Sequence, residues 1–489
     1  MELEQMNLIN KKNKRVFSFD LDRLDKSNIV NINESKTPLT HVHAGSFRRI
    51  FLHFQLHERL LQEGYNSVFY IGNDDYDPYD YFPEYFNEFE RESYRHYLGH
   101  PLSEVLALEG KGSYADYYFN EMIAILREEF EINVVTYKTS ELYKSGVFDD
   151  GIKLVLKNID KMNSLYESIT GVSQKFNSRP LQVICPNCGN MRTTRIINYQ
   201  NEEVEIICQN HKLRDVEFKG CGFRGCLNPY KGNARLFWKL EWPVRWEALQ
   251  IKVEGGRKDQ NSDKGAREFS EKAYLSLFAK TPPLNLPYDF CYIRSAHSQQ
   301  INRFGISVID ALKFLPPQLL FYLLTKPPST QVIDIDLESA KMLDIYRDYV
   351  KIFLDDDGSK FDLILDNLRF ERDVKLDSKF NPLINCLNHY LHTSKEYEAW
   401  HLDFSLKMIN EDERTFIRIL FKKLEKINAW EASSIQEDFR KATVEALFPI
   451  NQACRLIYRL IINRETGLRI GVLLENVGKE KILKYLSLY

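Results

Sequence analysis

The stretch Ser35-Lys36-Thr37-Pro38-Leu39-Thr40-His41-Val42-His43-Ala44-Gly45 lies between a β-prone segment at residues 29–32 and a helical pattern that begins at Ser46. We expect Ser46 to cap this helix and Gly64 to follow its last turn, because these residue types favour the two ends of a helix. The next segment, Ser67-Val68-Phe69-Tyr70-Ile71-Gly72, is largely apolar, as in a buried parallel strand. This order of strand, loop, helix and strand predicts a doubly wound α/β fold.

The end of the quoted loop has a composition that suits a phosphate group. Gly45 allows a close approach of the backbone to a ligand, and the imidazole of His43 can donate a hydrogen bond to a phosphate oxygen. The N-terminus of the following helix adds partial positive charge. Taken alone, His43-Ala44-Gly45-Ser46 also fits a loop with an incidental histidine.

The length and composition of the chain limit the class of protein that it can be. The 489 residues predict about three domains at roughly 150 residues each. With 44% hydrophobic residues the chain can form sizeable cores, and the formal net charge of −3 excludes a generally basic coat for nucleic acid but not a local basic face. No apolar stretch is long enough to span a bilayer, and the basic N-terminal segment lacks the apolar run of a secretory signal. We expect a cytoplasmic protein without a membrane segment.

Five of the eight cysteines fall within one short segment that also has β-rich stretches at residues 193–199 and 204–208. Disulfides are rare in a reducing cytosol, so the cluster predicts a metal site. Zinc prefers four tetrahedral thiolate or imidazole ligands, and a small insert of this kind has too little core to fold alone. Reduced surface cysteines without a metal are the alternative. We expect a structural Zn²⁺ held by Cys185, Cys188, Cys208 and Cys221, with His211 or Cys226 as alternates.

Motifs along almost the whole chain occur in the order found in one enzyme family. They include Asp75-Tyr76-Asp77-Pro78, Gly220-Cys221-Gly222-Phe223-Arg224-Gly225 and the most specific stretch, Leu236-Phe237-Trp238-Lys239-Leu240-Glu241-Trp242-Pro243-Val244-Arg245-Trp246. On these residues the sequence resembles the archaeal-type class I lysyl-tRNA synthetases. Residues 37–48, from Thr37-Pro38 through His43-Ala44-Gly45-Ser46-Phe47-Arg48, resemble that family's form of the HIGH signature. Members of that family activate lysine with ATP and Mg²⁺ and transfer it to tRNA.

The resemblance implies an α/β architecture in four segments. Residues 1–180 would form the first part of a Rossmann-like catalytic domain, and residues 181–231 a zinc-binding insertion. Residues 232–330 would complete the catalytic domain and contact the tRNA stem. Residues 331–489, where amphipathic helical patterns dominate, would form an all-α domain that binds the anticodon.

The resemblance also implies positions for the substrates. The first ATP loop would contain His43, Gly45 and Ser46. The amino-acid pocket would contain Asp75, Asp77, Trp242 and Asp259.

From their four-residue spacing alone, we expect at least two of Trp238, Trp242 and Trp246 to lie in the core.

The chain departs from the family at the second ATP loop. The family sequence is Lys-Met-Ser-x-Ser-Lys-Gly, whereas this chain has Gln299-Gln300-Ile301-Asn302-Arg303-Phe304-Gly305. The negative charge that develops on pyrophosphate needs a cation at this place, and the loop retains one, Arg303. Gln299, Arg303 and Gly305 therefore mark a degenerate second loop.

Two further departures affect the other substrate-binding segments. The family's Gly-Lys-Asp-His has become Arg257-Lys258-Asp259-Gln260, and its Arg-Glu after the helix start has become Arg48-Arg49. If the missing carboxylate receives the lysine ammonium, Arg49 repels it.

Three hypotheses follow from these departures. The first is a catalytically degraded homologue, a pseudoenzyme, that still binds tRNA or another RNA. The second is an active lysine–tRNA ligase that uses the substitute cations Lys258, Arg294 and Arg303. The third is a repurposed ligase with another amino acid or acceptor. An RNA-binding face would include Arg48, Arg49, Lys422, Lys423, Arg455, Arg459 and Arg464, although an ordinary solvated charged face fits these residues as well.

Overall fold

A parallel five-stranded sheet forms the centre of the first of two compact units, which divide between Asp336 and Leu337. The computed structural model describes residues 21–107, 110–172, 180–213, 215–302, 305–354, 356–369, 376–393, 403–465 and 469–489. The strands are β1 (Val30–Lys36), β2 (Ser67–Asn73), β3 (Val135–Lys138), β4 (Leu181–Val183), β5 (Thr194–Gln200), β6 (Glu203–Cys208), β7 (His211–Leu213), β8 (Val216–Phe218), β9 (Arg224–Leu227), β10 (Ala234–Leu236), β11 (Ile251–Glu254), β12 (Leu284–Asn285), β13 (Cys291–Arg294), β14 (Gln300–Asn302), β15 (Gly305–Ile306) and β16 (Ile333–Asp336).

Helices flank the sheets of the first unit and make up nearly all of the second. Those of the first unit are α1 (Phe47–Gln62), α2 (Glu88–Tyr94), α3 (Tyr114–Phe130), α4 (Thr139–Lys144), α5 (Asp149–Lys157), α6 (Ile159–Thr170), α7 (Trp238–Ala248), α8 (Ala266–Phe278), α9 (Val308–Phe314) and α10 (Pro317–Thr325). Those of the second unit are α11 (Lys341–Phe353), α12 (Ser359–Arg369), α13 (Asn381–Thr393), α14 (Glu411–Glu425), α15 (Ala432–Glu445), α16 (Ile450–Ile462), α17 (Ile470–Val477) and α18 (Lys479–Leu486). The predicted α/β class and the helical C-terminal region are confirmed.

The strand order of the central sheet is β12-β11-β1-β2-β3, with all neighbours parallel. The chain therefore moves from β1 toward β2 and β3 on one side, and later adds β11 and β12 on the other. The reversal creates a topological switch point between β1 and β11, and ligands of open α/β sheets bind outside the carboxyl ends of the strands at such a point. Lys36 and Glu254 are the last residues of these two strands.

Helix α1 differs from its prediction at the start. Ser46 lies at the N-cap position but makes no capping hydrogen bond, because residues 44–46 form a 3₁₀ turn and the Ser46 hydroxyl lies 2.6 Å from Nε2 of His43. Gly64 follows the helix with a φ of +83°, as predicted for a residue beyond the last turn. One face of α1, including Phe47 and Phe51, is fully buried.

The cysteine-containing insertion is closed at its base by an antiparallel pair, β4 with β10. Between them lie the antiparallel sheet β5-β6-β9 and the hairpin β7-β8, and the two predicted strands correspond to β5 and β6. Val204 and Ile206 from β6 are fully buried and join a core that includes Leu181 and Leu236 at the base. The insertion therefore shares its apolar core with the rest of the first unit.

The second unit has its own helical core, which includes Phe416, Leu420, Phe439 and Ile457. In the part of the chain that the structure describes, no single helix is long and apolar enough to cross a membrane. The helices α9 and α10 meet that criterion only together, as a pair bent by 107°.

Candidate functional site

A cavity of about 580 Å³, here called the larger cavity, lies at the carboxyl ends of β1, β2 and β11. Strand ends and the segments directly after them supply much of its wall, because parallel strands present these ends at one edge of the sheet. Lining residues from these segments are Glu34, Ser35, Lys36, Thr37, Asp74, Asp77, Glu254 and Gly255.

Two buried arginines hold the carboxylates on one side of the larger cavity. Arg245 on α7 donates to Asp74 at 2.7 Å and also binds Glu241. Arg235 on β10 binds Glu241 at 2.8 Å and pairs with Asp77. Burial by itself would raise the pKa of Asp74, but the Arg245 guanidinium holds it below its usual range. Asp77 lines this cavity, and its charge is already compensated from within the protein.

Tryptophans of α7 form an aromatic wall of the larger cavity. Trp238 and Trp242 line it, and their rings pack edge to face with centroids 6.0 Å apart. Trp246 alone of the three is fully buried, and Trp238 is 41% exposed. Trp242 is half-buried and packs against the core cluster that contains Trp246, while it also lines the cavity. Trp238 stays outside that cluster, because α7 turns its first part toward the cavity. Two of the three tryptophans therefore contact the core.

Two predicted pocket residues lie elsewhere. Asp75 is buried and accepts hydrogen bonds from the backbone N–H of Ser140, at 2.8 Å, and from the Ser140 hydroxyl. Asp259 is exposed and is held by Arg257, with Nε 2.7 Å from its carboxylate. Contrary to the prediction, neither side chain lines the larger cavity. Asp75 anchors the start of α4 instead.

The predicted first ATP loop borders a second cavity of about 290 Å³, here called the smaller cavity. His43, Gly45 and Ser46 all line it. A Cβ on Gly45 would overlap the carbonyl oxygen of Cys291, so this glycine is required where the turn packs against β13. Burial, together with nearby cations, keeps the pKa of His43 well below its usual range, which makes the imidazole neutral.

Residues 300–302 and Gly305 of the degenerate second loop belong to a small sheet, β14-β15-β13-β16. Gln299 is exposed, and Gly305 has a φ of +139° at a point where a Cβ would overlap the Ile293 carbonyl oxygen. Arg303 lies outside the described residues. Ile301 and Asn302, which sequence reasoning did not single out, line the larger cavity.

The two other substitute cations are engaged in ion pairs. The Nζ of Lys258 lies 3.0 Å from the carboxylate of Asp289, and Arg294 pairs with Asp334. Neither Lys258 nor Arg294 lines either of the two cavities.

Arg49 lines both cavities from helix α1. Its Nη1 lies 3.2 Å from Oε1 of Glu34, and its side chain also forms a hydrogen bond with Tyr288. Burial raises the pKa of Glu34, although Arg49 opposes that shift. Arg48, by contrast, is 1% exposed and donates to the Pro328 carbonyl at 2.7 Å, so it is a packing residue and not part of an RNA-binding face.

His53 fixes the helix that carries Arg49. Its Nδ1 lies 2.7 Å from the carbonyl oxygen of Arg49, and its Nε2 accepts a hydrogen bond from the backbone N–H of Gly255 at 2.8 Å. Burial lowers the pKa of His53 to about 4, so the ring is neutral and carries its proton on Nδ1. This imidazole links α1 to the end of β11 across the switch point.

Four cysteines form a cluster in the insertion. The Sγ atoms of Cys185, Cys188, Cys208 and Cys221 all lie within 4.8 Å of one another. Four thiols that converge in this way fit a soft, tetrahedral metal ion, so the cluster could bind a metal. The alternates Cys226, on β9, and His211, on β7, are not members of the cluster.

Basic side chains of the second unit that were expected to face RNA are partly neutralised. Lys423 pairs with Glu445 at 2.6 Å, and Arg459 pairs with Glu413 at 2.7 Å. Because the partners lie on the same surface, these pairs leave less net positive charge than the sequence suggests.

Comparisons with known proteins bear on the family. The model of the family described as tRNA synthetases class I (K) matches residues 10–360. Among curated relatives, a lysine–tRNA ligase of Thermoplasma volcanium is 24% identical over 92% of this chain and 94% of its own length. A lysine–tRNA ligase of Methanococcus maripaludis is 28% identical over 64% of this chain and 57% of its own length.

Among solved structures, the comparison returns a glutamate tRNA ligase from Elizabethkingia meningosepticum. It covers 95% of this chain and 99% of its own, at 10% identity and a TM-score of 0.47. The family match rests on the sequence model, which spans more than half of the chain. The protein therefore belongs to the class I (K) family of tRNA synthetases.

Proposed function

We propose that this protein is a lysyl-tRNA synthetase-like protein of the cytoplasm that binds ATP, an amino acid and tRNA, and in which aminoacylation with lysine is impaired or altered. The family assignment and the curated lysine–tRNA ligases that it resembles support the reaction class. The retained cavities at the switch point support substrate binding, since their volumes are in the range of small-molecule sites.

The contact between Arg49 and Glu34 carries the proposal of altered aminoacylation. A lysine ammonium in a buried pocket needs a carboxylate, because a buried charge without a partner is strongly unfavourable. Glu34 is engaged by Arg49 at 3.2 Å. A lysine substrate would have to compete with a guanidinium that is already in place, and Arg49 would repel its ammonium.

Most of the other buried or half-buried carboxylates of the larger cavity are held by arginines as well. Asp74 and Asp77 are held by Arg245 and Arg235, and Asp80 is held by Arg192. Glu254 is the exception in this lining, since it accepts hydrogen bonds from Asn33 and Trp246 and forms no ion pair among the described residues. A cationic side chain therefore finds most of its potential partners already neutralised. The same feature favours, as a second candidate, a repurposed ligase that activates an acidic or neutral amino acid.

An active lysine–tRNA ligase that uses Lys258, Arg294 and Arg303 receives less support. Lys258 and Arg294 are ion-paired outside the cavities, so each would need to leave its partner before it could contact pyrophosphate. Arg303 lies outside the described residues.

Two binding roles complete the proposal. We expect the four-cysteine cluster to hold one structural Zn²⁺, because thiolates are the ligands that this ion prefers in closed sites. We also expect the helical second unit to contact tRNA.

Formation of lysyl-tRNA by the purified full-length chain tests the proposal. The chain and the Thermoplasma volcanium relative are assayed side by side with lysine, ATP and tRNA. We expect a rate at least about 100-fold lower for this chain, the size of effect that follows from loss of one transition-state contact. Equal rates would refute the impairment. A screen of the other amino acids for exchange of pyrophosphate into ATP then decides between a degraded and a repurposed ligase.

A further inference from the structure

Lys36 belongs to the lining of both cavities, although none of the sequence motifs singled it out. It is the last residue of β1, at the switch point. A cation at the carboxyl end of a central parallel strand lies where open α/β sheets bind their ligands.

Lys36 has no carboxylate partner among the described residues. Glu34 lies two positions earlier on the same strand and therefore on the same face of the sheet, but Arg49 is paired with it. Asp259, on the segment after β11, is paired with Arg257. Each of these two acids is thus paired with another cation, and Lys36 itself forms no ion pair among the described residues.

Further positive charge surrounds Lys36. Arg49 and Arg257 both line the smaller cavity with it, and Asp289, the acid in that lining, is engaged by Lys258. Burial first, and then the charge of Arg49, lowers the pKa of Lys36 to about 7; Glu34 partly opposes this shift, and Arg257 adds to it. A pocket that concentrates like charges in this way is complementary to an anion, whose binding would relieve the repulsion.

The surroundings favour a phosphate chain over a single carboxylate. The 3₁₀ turn at residues 44–46, which leads into the 16-residue helix α1, borders the same cavity and contributes the partial positive charge of a helix N-terminus. Arg49 and Arg257, unlike Lys258 and Arg294, line the same space as Lys36. A guanidinium has five N–H donors, so each arginine can keep its carboxylate partner and still donate to a phosphate oxygen. Three such side chains match the several charges of a polyphosphate, whereas one carboxylate needs one partner.

We propose that Lys36, assisted by Arg49 and Arg257, binds the phosphate chain of ATP at the switch point and replaces the lysines that are missing from the second ATP loop. The inference rests on the proposed binding of ATP, and it does not depend on which amino acid is activated. It assigns the role of phosphate binding to the end of β1, where the sequence has a lysine instead of the small residues that usually line such a loop.

Calorimetric titration of the full-length chain with ATP, pyrophosphate and adenosine tests this assignment. The variants are Lys36→Met, the conservative Lys36→Arg, and Lys272→Met as a control for loss of an exposed lysine on α8. We expect Lys36→Met to weaken binding of ATP and pyrophosphate at least about tenfold and to leave adenosine unchanged. Lys36→Arg should retain most of the affinity, and the control should behave as the wild type. Thermal unfolding confirms that each variant is folded.

Several outcomes would overturn the assignment. One is a Lys36→Met protein that binds ATP and pyrophosphate as tightly as the wild type. Another is a wild-type protein that binds neither. A third is a Lys36→Met protein that loses affinity for aspartate or glutamate while ATP binding is unchanged, which would identify the anion as a substrate carboxylate. A family-like rate of lysyl-tRNA formation would refute the impaired aminoacylation but would leave these binding results intact, so the two failures are distinguishable.

Discussion

The Nη1 atom of Arg49 lies 3.2 Å from the Oε1 atom of Glu34, and both side chains line the larger cavity. The arginine comes from the first turns of α1 and the glutamate from β1, so the pair joins the two elements that flank the predicted nucleotide loop. A carboxylate in the position of Arg49 would create an acidic pocket. In the observed pair one cation faces one carboxylate, and Lys36 adds a second cation that forms no ion pair among the described residues.

The Lys36→Met variant should be more stable than the wild type near neutral pH. Lys36 has a folded-state pKa of about 7, below its ordinary 10.5, so between these values the unfolded chain binds more protons than the folded chain. Stability of the wild type therefore rises as the pH increases through this window, and the penalty is full below pH 7. We expect Lys36→Met to raise the free energy of unfolding by about 1 kcal/mol or more at pH 7, as measured by chemical denaturation.

The pH dependence of the stability difference between wild type and Lys36→Met is the control for this experiment. The charged groups that act on Lys36 are Arg49, Glu34 and Arg257. The advantage of the methionine variant should shrink between about pH 7 and pH 10. An advantage that is absent, or that does not change with pH, would show that Lys36 is not destabilised in the folded protein.

Removal of the metal should destabilise the insertion. The Cys208→Ser variant loses one of the four converging thiols, and a closed thiolate site contributes its binding energy to folding. We expect one Zn²⁺ per wild-type chain, loss of that zinc in Cys208→Ser, and a fall in the melting temperature of about 5 °C or more. Cys226→Ser is the matched control, since Cys226 lies outside the cluster. Equal zinc contents in the two variants would contradict the ligand set.

Loss of Arg245 should be costly for folding. Its guanidinium binds both Asp74 and Glu241, and all three side chains are largely buried. The Arg245→Ala variant would leave two buried carboxylates without this partner, which costs about 3–5 kcal/mol. Arg127→Ala, at an exposed position of α3, should cost less than about 1 kcal/mol. Similar effects of both changes on urea denaturation would argue against the buried network.

Local patterns and motif order were sufficient to predict the parts of the site that are built from short stretches. The segment around His43 and Gly45 borders a cavity, Trp242 lines one, and the four first-choice cysteines converge. These features are predictable because strand–loop–helix units and cysteine knuckles impose their geometry within a few residues.

Side-chain pairing across the sheet was not predictable from local pattern. Asp75 and Asp259 resemble pocket residues in sequence, yet Asp75 turns to the start of α4 and Asp259 to Arg257. A binding role for Lys36 was not predicted, because that role depends on the position of β11. This strand follows β1 by more than 200 residues and lies beside β1 only in the folded sheet. Which acid is left to pair with which base depends on such long-range contacts.

The affinity for L-lysine of the wild type and of Arg49→Glu, measured by calorimetry on the full-length chain, tests the central claim most directly. Arg127→Glu serves as the control for a charge reversal at an exposed site. We predict that Arg49→Glu binds lysine at least about tenfold more tightly than the wild type, because it frees Glu34 and adds a second carboxylate. Wild-type binding of lysine as tight as that of Arg49→Glu would contradict the account.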